Sequence, residues 1–181
     1  IGTSRDPSLI DGKNSEGTIV KIPRYEQIKQ TSLDVSFVSG QWLWKGESLY
    51  RSGQGNDDYF AWTGGFEYTF SRIWNSQVDL GIIGEWMFDT RGDNSKTPFE
   101  NDLAGGLRFS LNDAASTEAL FSWTQDINTQ ARYLFLEARR RLGEHLLLTT
   151  DFRAFINQPS EDFLFEQRED EIMNIELAYY F

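Results

Sequence analysis

Residues 59–70 read Tyr-Phe-Ala-Trp-Thr-Gly-Gly-Phe-Glu-Tyr-Thr-Phe, and apolar or aromatic residues dominate every second position from Phe60 to Phe70. The interleaved positions carry smaller or polar residues, including Thr63 and Glu67. Because successive side chains of a β-strand point to opposite faces, this period of two predicts a strand with one apolar and one polar face. The segment therefore indicates the fold class, which is all-β.

The same alternation recurs along the chain and predicts nine strands, over about 26–39, 42–52, 58–71, 77–90, 101–112, 115–127, 131–142, 145–157 and 169–181. Strands of globular proteins usually hold about five or six residues, whereas a tilted membrane-crossing strand needs about 9–11. Short links, such as 39–41 and 143–144, alternate with longer polar links, such as 90–100 and 157–168. Strand length and link alternation predict an antiparallel up-and-down transmembrane β-barrel.

The domain organisation follows from these segments. Residues 26–181 are predicted to be transmembrane β-barrel strands, and residues 1–25 an extracellular loop or irregular segment. Nine strands are an odd number, whereas single-chain bacterial barrels have even numbers. An open edge would also leave backbone groups unpaired in lipid. Either residues 1–25 contain a further strand, for which 18–22 is the candidate although Pro23 follows it, or the chain is part of a larger even-stranded barrel. We favour the larger barrel, with about twelve strands or more.

Composition narrows the function classes. The 181 residues carry a net charge of -11, contain no Cys and contain one His. The acidic balance argues against a nucleic-acid partner, because phosphate neutralisation needs clustered Lys and Arg. The lack of Cys excludes a disulfide scaffold and a thiolate metal site, and the single His excludes paired-His sites. No stretch has the roughly 18 uncharged apolar residues of a membrane helix.

A soluble β-sandwich, with the apolar face as its core, would show the same alternation. Strand length, aromatic residues near strand ends and charges of both signs along the opposite face favour the membrane barrel. In that barrel the charged face would line a lumen. The candidate pore-lining residues are Lys45, Glu47, Arg51, Glu67, Asp79, Glu85, Asp102, Arg108, Glu118, Glu137, Arg139, Arg141, Asp151, Arg153 and Glu176.

The final segment, Asn-Ile-Glu-Leu-Ala-Tyr-Tyr-Phe at 174–181, resembles the C-terminal signal of bacterial outer-membrane β-barrel proteins. In that family an alternating strand ending in Phe is read by the barrel assembly machinery. The resemblance implies that Ile175, Leu177, Tyr179 and Phe181 form the assembly signal. Ala178 departs from the family, which often has Gly there.

The wider stretch 59–181 resembles the C-terminal part of an uncharacterised outer-membrane family of Gram-negative proteobacteria. The segments that carry this resemblance are 64–70, 97–103, 139–143 and 176–181. It implies a location in the bacterial outer membrane, with membrane lipid and the assembly machinery as partners. It brings no activity and no site residues.

We expect a porin-like pore or transport component that passes small polar solutes through a charged lumen. The alternative is a non-conducting binding or scaffold barrel, which docks a periplasmic or oligomeric partner through its loops or turns. A lipid hydrolase is the third class. His145 lies in no recognisable catalytic motif, so no enzyme activity is predicted.

No cofactor and no metal site is predicted. Loop carboxylates at Asp57, Asp58, Glu161 and Asp162 offer oxygen ligands that suit Ca²⁺, but the spacing of an EF-hand loop is absent. An acidic, solvated exterior is the simpler interpretation of these residues.

Overall fold

The computed structural model describes residues 2–53, 58–95, 97–160, 162 and 164–181. In these ranges the chain forms ten strands, and each strand pairs with the next in an antiparallel up-and-down sheet. The strands are β1 (Gly2–Lys13), β2 (Ile19–Ser39), β3 (Trp42–Ser52), β4 (Tyr59–Phe70), β5 (Asp79–Asp89), β6 (Asn101–Ser110), β7 (Glu118–Asp126), β8 (Arg132–Leu142), β9 (Leu146–Ile156) and β10 (Glu171–Tyr179). Short 3₁₀ turns lie at Ile73–Asn75, Gly92–Asn94 and Phe165–Gln167.

The predicted all-β class and antiparallel up-and-down order are confirmed, and the nine predicted segments correspond to β2–β10. The described strands do not close into a barrel, because β1 and β10 are the two edges of the sheet. In the described ranges no helix has both the length and the apolar character needed to cross a membrane.

Residues 1–25 differ from the expected loop or irregular segment. Residues 2–13 form β1, which pairs with Ile19–Gln30 of a 21-residue β2. The alternation did not reveal this hairpin, because β1 is mostly polar and Pro23 interrupts the first part of β2. Backbone pairing forms the hairpin without one continuous apolar face. The hairpin adds a tenth strand to the nine predicted.

The hairpin leaves part of β2 with one neighbour. β1 pairs with β2 as far as Gln30, and β3 pairs with it from Lys29 to Ser39. Across the described ranges, the edge of β2 from Thr31 to Ser39 that faces away from β3 therefore has no strand partner. The outer edges of β1 and β10, the two terminal strands of the sheet, also have no strand partner in these ranges.

The sheet is a single layer with little buried core. Among the described residues, Ile28, Tyr59, Ala131 and Ala154 are the buried hydrophobic ones. Large side chains stay exposed on the face opposite the charges: Phe37 is 60% exposed, Trp44 46% and Leu177 58%. We call this surface the apolar face and the opposite one the charged face.

Aromatic rings cover glycines on the apolar face. A Cβ built at Gly64 would meet the Trp62 ring, and one built at Gly105 would meet the Trp123 ring. Trp62 also contacts Trp86 edge to face, with ring centroids 5.0 Å apart. Rings packed over glycines restore side-chain contacts where a strand has none of its own.

Gly65 marks a close approach of backbones on the charged face. It pairs with Glu85 of β5, and a Cβ at Gly65 would collide with the carbonyl oxygen of Gly84 and lie 3.1 Å from the Glu85 Cα. Because these neighbours are backbone atoms, no side-chain rotation relieves the collision.

We predict that Gly65→Ala destabilises the folded protein by about 1–3 kcal/mol, because the β4–β5 backbones must separate. Gly46→Ala is the matched control, since a Cβ there meets nothing within 4 Å. Unfolding in urea, followed by gel mobility of unheated samples in detergent, measures both. Equal stability of the two variants would contradict the assigned close approach.

Candidate functional site

The strand register places all fifteen candidate pore-lining residues on the charged face. Cross-strand neighbours share a face, and the pairings connect the candidates in rows across the sheet. One row in the half of the sheet near the long links runs Asp34, Glu47, Thr63, Met87, Asp102 and Asp126. We call its four carboxylates, Asp34, Glu47, Asp102 and Asp126, the acidic row.

Rows nearer the short turns contain ion pairs. Arg139 Nη2 lies 2.7 Å from Glu118 Oε2, Arg153 Nε lies 3.3 Å from Asp151 Oδ1, and Arg108 pairs with Glu67. Two of these pairs join neighbouring or next-nearest strands, so they connect the charged face laterally. Such exposed pairs contribute about 0–1 kcal/mol each. Their main effect is to neutralise the positive charge of the arginines near the short turns.

The candidates without an ion pair are spread over the same face. Within the part of the chain that is described, no ion pair within 4.0 Å involves Lys45, Glu47, Asp79, Glu85, Asp102, Glu137, Arg141 or Glu176. Asp79 instead accepts hydrogen bonds from the Arg72 backbone N–H at 2.8 Å and from Asn112 Nδ2 at 2.9 Å. It therefore closes the turn between β4 and β5.

Near the long links, Arg51 and Arg91 flank the buried ring of Tyr59. Arg91 Cζ lies 3.8 Å and Arg51 Cζ 5.7 Å from the ring centroid. Arg91 Nη2 contacts the buried Asp89 carboxylate at 2.5 Å, and its Nε contacts Asp89 Oδ1 at 2.9 Å. This fork holds the beginning of the 90–100 link against the charged face.

The Asp102–Asp126 end of the acidic row continues into a cluster of polar side chains where the links meet the sheet. A void of about 10 Å³, near the smallest that holds one water molecule, is lined by Asp102, Asp126, Asp162 and Gln158. Gln158 is 8% exposed, and its Nε2 donates to the Arg132 carbonyl oxygen at 3.0 Å. Its Oε1 is buried without a hydrogen-bond partner.

Glu100 belongs to the same cluster. Burial, together with the negative charges of Asp126 and Asp102, raises the pKa of Glu100 to about 7. Burial also raises the pKa of Asp162. Two carboxyl groups this close repel each other when both are ionised, so protonation of Glu100 relieves the repulsion from Asp126. The pKa of Glu100 therefore lies near neutral pH, and protonation of Glu100 removes a repulsion between the 90–100 link and the sheet.

Sequence reasoning missed several residues of this end of the sheet. Glu100, Arg91 and Gln158 lie in links, whose course over the sheet is not encoded in a period of two. Asp162 also lies in a link and was considered only as a loop carboxylate for Ca²⁺. Tyr59 was assigned to the polar face of its strand but was not singled out. Its position opposite Arg51 in the register was the one available signal.

His145 is an exposed residue at the turn between β8 and β9. Its Nδ1 lies 3.0 Å from the Tyr180 carbonyl oxygen, and its ring centroid lies 5.7 Å from that of Tyr179. The Tyr180 backbone N–H in turn donates to the His145 carbonyl oxygen at 2.8 Å. These contacts fasten the end of β10, and the absence of enzyme activity stays a prediction.

No group of three or more His, Asp or Glu side chains in the described ranges is arranged to hold a metal ion. Asp57 and Glu161, two of the loop carboxylates considered for Ca²⁺, lie outside the described residues. The residues of the assembly signal, Ile175, Leu177, Tyr179 and Phe181, are all exposed. Their recognition by an assembly machinery stays a prediction.

The pKa of Glu100 predicts that the links bind the sheet more weakly as the pH rises. Its pKa in the folded chain, about 7, lies above the ordinary value of 4.5. The folded state therefore holds the proton more tightly, so this stabilisation is complete below pH 4.5 and is lost as the pH rises through 7. Hydrogen exchange of the 97–100 amides, corrected for intrinsic rates, should show less protection at pH 8 than at pH 5.

Glu100→Gln should remove most of this pH dependence, because the amide side chain stays uncharged at every pH. Glu169→Gln, in an exposed part of the 157–170 link, is the control and should leave it unchanged. A wild-type protection that is flat between pH 5 and pH 8 would contradict the assignment.

No protein-family model, no curated protein and no solved structure matches this chain. The function is therefore inferred from the chemistry of its two faces.

Proposed function

We propose that this chain is part of an integral outer-membrane β-barrel that serves as a pore or transport component for small polar solutes. One observation carries the proposal. A single antiparallel layer leaves a broad apolar face uncovered on one side and a charged face on the other. Acyl chains would cover the apolar face, and water and solutes would fill the charged side.

Strand length supports the membrane assignment. The strands from β3 to β10 hold 9–12 residues each. Tilted strands of about 9–11 residues span the hydrocarbon layer. The ten strands need further β-structure to close the wall, because a free edge facing lipid would leave backbone groups unpaired. The unpartnered stretch of β2 and the outer edge of β10 are where that structure would attach.

The position of the 90–100 link, which lies over the charged face, favours the alternative, a non-conducting binding or scaffold barrel. Thr97 and Phe99 line a cavity of about 650 Å³ on the charged face together with Glu47 and Asp89. A link that lies across the charged face would narrow a lumen. Whether the closed wall still leaves a passage depends on its strand number, since diameter grows with strand number.

Single-channel recording in planar bilayers tests the pore. The purified full-length protein is expected to conduct K⁺ and Cl⁻ in discrete steps. Lys45→Glu should shift the reversal potential in a salt gradient toward K⁺, because Lys45 is an exposed charge on the charged face.

Glu144→Lys is the matched control, since Glu144 lies in the turn between β8 and β9 and should give a smaller shift. Folded protein that inserts and never conducts would overturn the pore. A stoichiometric partner that co-purifies with such protein would establish the scaffold alternative. Protein that stays monodisperse without detergent would overturn both.

A further inference from the structure

The cavity of about 650 Å³ lies on the charged face, at the end of the sheet where the long links begin. Strands β2 to β5 and the 90–100 link form its walls. Its volume is in the range of pockets that hold small organic molecules. Tyr59, Met87 and Phe99 give it an apolar wall, whereas Asp34 of β2 and Glu47 of β3 supply carboxylates.

The two arginines of this cavity already have partners within the chain. Arg91 forms its fork with Asp89 and packs on Tyr59. Arg51 donates from Nε and Nη2 to Gln30 Oε1, at 3.1 and 2.7 Å. Either guanidinium would therefore have to break these contacts in order to bind an anion.

Asp34 and Glu47 stand directly opposite each other in the β2–β3 register. Opposed positions hold Cβ atoms about 4.5–5.5 Å apart, and like charges there are destabilising. Within the part of the chain that is described, neither carboxylate has a hydrogen bond or an ion pair. Lys45 lies next along the same face of β3 and forms no ion pair with either.

We propose that this cavity binds a small organic cation, a primary amine with a short apolar body. One ammonium group has three donors and can bridge two opposed carboxylates. Asp34 and Glu47 hold the ammonium group, and the body packs on Met87 and Phe99 beside the Tyr59 ring. The inference rests on the proposed function, in which the charged face lines the path of the solute.

Titration calorimetry of the full-length protein in detergent micelles tests the site with n-butylamine as the probe. We expect one bound amine per chain, with affinity that falls as the salt concentration rises. 1-Butanol is the neutral probe of the same size and should bind at least about tenfold more weakly, since it has no charge for the carboxylates. Equal binding of the two probes, or no binding of the amine, overturns the proposal.

The double substitution D34N/E47Q should weaken butylamine binding at least about tenfold, because it keeps the shape of both side chains and removes both charges. E137Q/D151N is the matched control, since Glu137 and Asp151 also stand opposite each other on the charged face, between β8 and β9. It should change the affinity by less than about twofold. Equal losses in the two double variants would overturn the site.

Folding and pore function are followed separately. Unheated gel mobility shows whether each variant is folded, and the single substitution E47Q provides a milder test, with about a threefold expected loss. Conductance reports the pore. Amine binding without conductance would overturn the proposed pore and leave the site intact, whereas conductance without amine binding would overturn only the site.

Discussion

The pleat of the strands is the constraint on which the rest of the structure depends. Side chains alternate between faces, and the ladder from β1 to β10 keeps every cross-strand neighbour on one face. Charged residues therefore collect on one side and aromatic and aliphatic residues on the other. A slip of one residue in a single pairing would place carboxylates such as Glu67 among the aromatic residues.

The distribution of charge along the charged face follows from this register. Near the turns, arginines such as Arg108 and Arg139 are paired with glutamates. Near the links, the acidic row has no basic residue within it, and the neighbouring Arg91 is held by Asp89. The two ends of the sheet therefore present different electrostatic environments. That difference is the basis both for the raised pKa of Glu100 and for the proposed amine site.

Much of the fold was predictable, because an amphipathic strand records its two faces in every pair of residues. The bounds of β3 match the predicted segment, and β4 and β8 match within a few residues. The β1–β2 hairpin was not predicted, because it is held by backbone pairing and carries a polar sequence with a Pro. Gly65 was read as one member of an alternating run, whereas its close approach to Gly84 depends on the neighbouring strand.

By itself the sequence determined the all-β class, the order of the strands and the face on which each charged residue lies, because all three follow from a period of two and short connections. Tertiary structure alone decided which charges meet. Arg91 forms an ion pair with Asp89, the charge of Asp126 raises the pKa of Glu100, and Phe99 lines the same cavity as Glu47, because the links cross the sheet. The path of a link depends on packing between residues distant in the chain, and no local period encodes it.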